Sequence, residues 1–175
     1  MNMFTEITKE SVYELSMTSF GIVPGVVKEI SERTVPLAFM YLVGNQAMHH
    51  SALDDMELNA IELRISVLNN CESCIKGHTF LSKKAGLGES DIQALKNGED
   101  TSIPRLNNLL KATDLLYSFG NNLFPDDVLN SIEDQGLTEQ EIFEIIGLIS
   151  LKTISNYVNN YLASVKTKHL SKRTN

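Results

Sequence analysis

Leu68-Asn69-Asn70-Cys71-Glu72-Ser73-Cys74-Ile75-Lys76-Gly77-His78 carries both cysteines of the 175-residue chain. They are spaced Cys-x-x-Cys, and His78 follows the second by four positions. Read as a helix, the run places Cys71 and Cys74 one turn apart on one face, with His78 a turn beyond Cys74 on that face. Neighbouring turns hold Cα atoms about 5–6 Å apart, a span that a disulfide bridges. A thiol pair that can open and close beside an imidazole points to redox chemistry.

The surroundings of this motif decide the fold. Beside a strand-helix-strand pattern, Cys-x-x-Cys indicates a thioredoxin-like protein. No alternating strand pattern bounded by hairpin turns is visible, and no Gly-rich phosphate loop. Haem attachment needs histidine directly after the second cysteine, where Ile75 stands. The motif is therefore expected on an all-α scaffold, at a helix start, where exposed N–H groups and the dipole favour a thiolate.

Outward from the motif, the chain is punctuated as about eight helices. Asp54-Asp55-Met56-Glu57 has capping-box spacing, and Leu58, Ile61, Ile65 and Leu68 form an apolar stripe behind it. Asn69-Asn70 ends that helix, because asparagine tolerates the left-handed conformation of a helix terminus. Upstream, Thr8 to Gly21, Pro24 to about Glu32, and Thr34 to about His50 read as helices. Downstream come a helix from Cys71 to near Gly86, a short one from Ser90, one opened by Ser102 and Pro104, and one opened by Pro125. Thr138-Glu139-Gln140-Glu141 is a full capping box ahead of the longest apolar-periodic run, Ile142 to Val165. Residues 1–165 are expected to form one helical domain. Residues 166–175 form a short basic tail that finishes a helix or trails in solvent.

Composition sets limits. A chain this long buries enough surface to need no structural disulfide. The N-terminus has no basic stretch followed by an apolar run, and no segment is apolar for long enough to cross a bilayer. A cytoplasmic location is expected, where a Cys pair is more often catalytic or metal-bound than structural. The net charge of −7 argues against a nucleic-acid partner.

Glu62 through His78 resembles the core of the carboxymuconolactone decarboxylase superfamily. The closest likeness is to its alkyl hydroperoxidase D-like branch, with the signature Ser-x-x-Asn-x-Cys-x-x-Cys-x-x-x-His. Phe20-Gly21-Ile22-Val23-Pro24 resembles the opening of those proteins, and Leu137-Thr138 through Asn159 their closing helix. The resemblance implies an all-α homo-oligomer that reduces small hydroperoxides with a dithiol, in antioxidant defence, and draws electrons from a thiol reductant or reductase partner. No cofactor, metal or membrane is implied. Carried over by position, Cys74 is the attacking thiol, Cys71 resolves it, and His78 relays the proton. The spacing agrees, since His78 is one turn from Cys74 and two from Cys71.

One position departs. The branch's relay glutamate lies twelve residues before the first cysteine, where this chain has Asn59. The nearest substitute is Glu62, which intrudes on the apolar stripe between Leu58 and Ile65. Desolvation there would raise its pKa toward a useful range. An ordinary helix glutamate, solvated or salt-bridged, is the other reading of Glu62. Alternatives stand for the whole site as well. Cys71, Cys74 and His78, with His49 or His50 as fourth ligand, could hold structural zinc in an interaction module. A carboxymuconolactone-type decarboxylase is a further alternative, although that branch does not need the Cys-x-x-Cys. The run Asn156 to Tyr161 faces the site, a subunit or the core.

Overall fold

The computed structural model describes residues 7–120 and 122–171, with side chains up to residue 169. Nine α-helices are present among the described residues, and no strand. They are α1 (Lys9–Phe20), α2 (Gly25–Ser31), α3 (Val35–Met48), α4 (Asp55–Leu68) and α5 (Glu72–Lys84). After these come α6 (Glu89–Asn97), α7 (Pro104–Phe119), α8 (Asp126–Glu133) and α9 (Glu139–Ser171). The all-α expectation holds. No helix is long and apolar enough to cross a membrane, among the described residues.

The start signals act as the sequence implies. Thr8 caps α1 and closes a capping box with Ser11. Asp54 accepts from Glu57 N–H at 2.8 Å while Glu57 Oε2 accepts from Asp54 N–H at 3.1 Å. Thr138 and Glu141 make the same reciprocal pair at the head of α9. Each box satisfies N–H groups that the first helical turn leaves open. Arg105 joins the two boxes, bonding Glu57 and Glu141 together. Ser102 is not the cap of α7. That position is Ile103, and Ser102 instead gives its N–H and hydroxyl to Asp91. Lys168 and His169 lie in the last turn of α9, so these basic residues finish a helix.

The backbone divides into two compact units, Ser51–Asn160 and the remainder up to His50 and from Tyr161. In the remainder, α3 packs against α1 and α2, and Val12, Val27, Ile30, Ala38 and Leu42 are buried. In Ser51–Asn160, α4 packs against α5, α6 and α7. It is buried on more than the expected stripe: Ala60 and Leu63 join Ile61 and Ile65 at full burial. A helix enclosed by three neighbours can keep polar residues only if each is paired. Arg64 grips Asp114 through Nε at 2.7 Å and Nη2 at 2.8 Å, and Glu57 meets Arg105 at 2.8 Å. Glu62 is the third such residue.

Candidate active site

The hand-over from α4 to α5 fixes the cysteines. Asn70 has φ +51°, the only positive value at a non-glycine among the described residues. Its N–H donates to Val67 O at 2.9 Å, and Cys71 N–H donates to Ser66 O at 3.0 Å. This is a Schellman closure, which satisfies carbonyls that the last turn would leave bare. It ends α4 and delivers Cys71 as the N-cap of α5, so Cys74 becomes the third helical residue. Cys71 is thus extended (φ −94°, ψ 91°) rather than helical, yet its carbonyl already takes Ile75 N–H at 2.8 Å. The two Cα atoms stand 5.2 Å apart and the sulfurs are joined as a disulfide. Cys71 is fully buried, and Cys74 is 8% exposed.

Two polar groups meet the sulfurs. Ser73 Oγ lies 3.6 Å from Cys71 Sγ and 4.0 Å from Cys74 Sγ. Asn159 of α9 donates from Nδ2 to Cys74 Sγ at 3.3 Å. Its neighbours are tied to the residue before the Schellman turn. Asn69 Nδ2 donates to Asn156 Oδ1 at 3.0 Å, and Asn160 Nδ2 donates to Asn69 O at 2.9 Å. Tyr117 O–H donates to Asn69 Oδ1 at 2.8 Å.

One turn beyond Cys74 on α5, His78 faces Glu62, which in turn meets Lys152. Glu62 Oε2 is 3.2 Å from His78 Nδ1, although the approach falls outside hydrogen-bond geometry. Glu62 Oε1 is 2.8 Å from Lys152 Nζ, whose side chain is only 4% exposed. Burial pushes the Glu62 carboxyl up, but the Lys152 ammonium, then His78, pull it further down, to about 2. The expectation of a raised pKa is therefore overturned. The other reading, a helix glutamate that is solvated or salt-bridged, agrees in its salt-bridged form, since the side chain is 15% exposed and paired with Lys152. Desolvation alone would act as expected; the buried cation reverses the outcome. Glu62 is an anion at neutral pH and faces His78.

Asn59 carries its amide away from this chemistry, donating to Asp55 O at 2.7 Å within its own helix. Lys152 escapes the sequence reading, and Asn159 is marked there only as part of the run Asn156 to Tyr161. Lys152 had a signal: it falls at helical spacing from Ile145 and Leu148, both buried, and a lone cation on a buried stripe implies an anionic partner. Asn159 had only the asparagine-rich run to mark it. No group of three or more His, Cys, Asp or Glu side chains is arranged to hold a metal ion, among the described residues.

The family model described as "Carboxymuconolactone decarboxylase family" matches residues 37–115. Over that segment the chain is similar to the carboxymuconolactone decarboxylase family. A crystal structure with the same fold is that of a protein of unknown function from Agrobacterium tumefaciens, named as a candidate antioxidant defence protein AhpD. It is 23% identical, covers 74% of this chain and 88% of its own, and superposes with a TM-score of 0.59. No curated protein matches the chain significantly. The segment that matches the superfamily includes Glu62, Cys71, Cys74 and His78 and stops before α9. Lys152 and Asn159 thus reach the superfamily motif from outside it.

Proposed function

We propose that this protein is a dithiol peroxidase that reduces small hydroperoxides in antioxidant defence. The Cys74 thiolate attacks the peroxide O–O bond, an S–O bond forms, and the departing alkoxide takes a proton from His78. Cys71 then attacks the sulfenic acid, the disulfide forms and water leaves, before further oxidation becomes irreversible. Glu62, fixed as an anion by Lys152, holds His78 in place for the transfer. A thiol reductant or reductase partner returns two electrons to the disulfide.

The observation that carries this reading is the joined pair Cys71–Cys74 at the start of α5, one turn from a histidine that a buried carboxylate faces. The match of residues 37–115 to the carboxymuconolactone decarboxylase family and the name of the Agrobacterium protein support the antioxidant role. We further place it in the cytoplasm as a homo-oligomer without nucleic-acid or membrane partners, in keeping with its acidic composition and with Phe143 and Tyr157 exposed on α9. The deciding experiment is a free-thiol count on reduced protein before and after one equivalent of hydroperoxide. Loss of both thiols, with an equivalent of alcohol formed, is expected. Two thiols remaining would refute the reading.

A further inference from the structure

Two effects at the start of α5 oppose each other. Cys71 is the N-cap residue, where helix dipole and open N–H groups favour negative charge. Its sulfur is also fully buried, and burial disfavours a thiolate. Cys74 lies within the first turn, is the more exposed of the two, and receives a side-chain amide N–H, which Cys71 does not among the described residues. In the disulfide neither sulfur has a proton to give, so the Asn159 Nδ2 group is the donor in that contact.

We propose that Asn159 is a catalytic hydrogen-bond donor, whose amide stabilises negative charge on Cys74 Sγ and makes Cys74 the anionic sulfur of the open pair. The proposal rests on the dithiol reading above, though not on peroxide as the oxidant. The amide is held for this task. Asn156 and Asn160, flanking it on α9, both bond Asn69, two residues before Cys71, and Tyr117 locks Asn69 from α7. Donor and acceptor therefore share one frame that needs no rearrangement when charge develops. The other titratable groups of the site are Glu72 and Lys76, both exposed on α5, His78, and the Glu62–Lys152 pair.

The donor acts where charge appears on Cys74. A dithiol reductant attacks Cys74 Sγ through one thiolate, the Cys71–Cys74 bond breaks, and its electron pair goes to Cys71 Sγ, which takes a proton. The reductant's second thiolate attacks its own sulfur in the mixed disulfide. That bond breaks, the reductant leaves as a disulfide, and the electron pair departs on Cys74 Sγ, toward the Asn159 N–H. In the forward direction the same anion is the nucleophile.

The test uses limiting iodoacetamide on the reduced full chain, with peptide mapping of both cysteines across a pH series and no peroxide present. In the unaltered protein, Cys74 is expected to label first. Loss of a hydrogen bond to an anion lowers its thiolate fraction about tenfold. The more basic thiolate is intrinsically more reactive, so Asn159→Leu should slow Cys74 labelling about threefold to fivefold. Its pH midpoint should rise, and Cys71 should change less than about twofold. Asn159→Asp, nearly isosteric but without the donor, should do at least as much. An unchanged Cys74 rate and midpoint, or equal change at both cysteines, overturns the proposal. Should the variants misfold, the side-chain amide resonance of Asn159 in the unaltered protein must move with Cys74 titration, and a stationary signal overturns it equally. Because no peroxide is used, failure of the peroxidase reading would show separately in the thiol count.

Discussion

Lys152 Nζ lies 2.8 Å from Glu62 Oε1, between side chains exposed to only 4% and 15%. This ion pair fixes the protonation state of the carboxylate that faces His78. Glu62→Gln takes the anion away from a buried ammonium and should cost about 3 kcal/mol, while Glu62→Gln with Lys152→Met should be more stable than either single variant. A double-mutant cycle by chemical denaturation checks this. Additive losses would show that the pair is not coupled.

Acid should weaken the fold through the same pair. The Glu62 carboxyl is held at about 2 against an ordinary 4.5, so its stabilisation is fully present above pH 4.5 and is lost as pH falls toward 2. The loss amounts to about 3 kcal/mol, in the direction expected of a carboxylate paired in the folded state only. Lys152→Met should remove most of this acid limb. A denaturation series from pH 6 to pH 2 reads it directly.

The cysteines should divide their labour. Cys74→Ser should abolish peroxide reduction. Cys71→Ser should instead allow one turnover and leave a sulfenic acid or mixed disulfide at Cys74, which mass spectrometry detects after dimedone treatment. Reversed phenotypes would make Cys71 the attacker.

Asn70 sits at φ +51° to turn α4 into the cysteine helix. Asn70→Gly should be tolerated, whereas Asn70→Val should cost about 1–2 kcal/mol, because a β-branched side chain crowds the left-handed backbone. Thermal melting should show a fall of about 2–8 °C for the valine variant. An unchanged melting point would mean that the turn does not constrain the fold.

Phe143, Ile146 and Tyr157 share one face of α9 and are 65%, 41% and 62% exposed. A homo-oligomer would cover them. Light scattering should give a multiple of the 19.5 kDa chain mass, and Phe143→Glu with Tyr157→Glu should reduce it to one chain. A single-chain mass for the unaltered protein at micromolar concentration would sink the assembly proposal.

The sequence by itself determined the local features. Capping boxes at Asp54 and Thr138, the asparagines ending α4 and the cysteine pair at the next helix start all depend on residues a few positions apart, whose stereochemistry is local. It also pointed to Glu62, because a carboxylate interrupting an apolar stripe is visible without coordinates. Tertiary structure decided what that carboxylate is. Lys152 stands ninety residues away along the chain, and only packing sets an ammonium against a desolvated acid, turning an expected upward shift into a downward one. The donor to Cys74 is hidden from sequence for the same reason: eighty-five residues separate Asn159 from Cys74, and one amide in an asparagine-rich run differs from the next only by the face its helix presents.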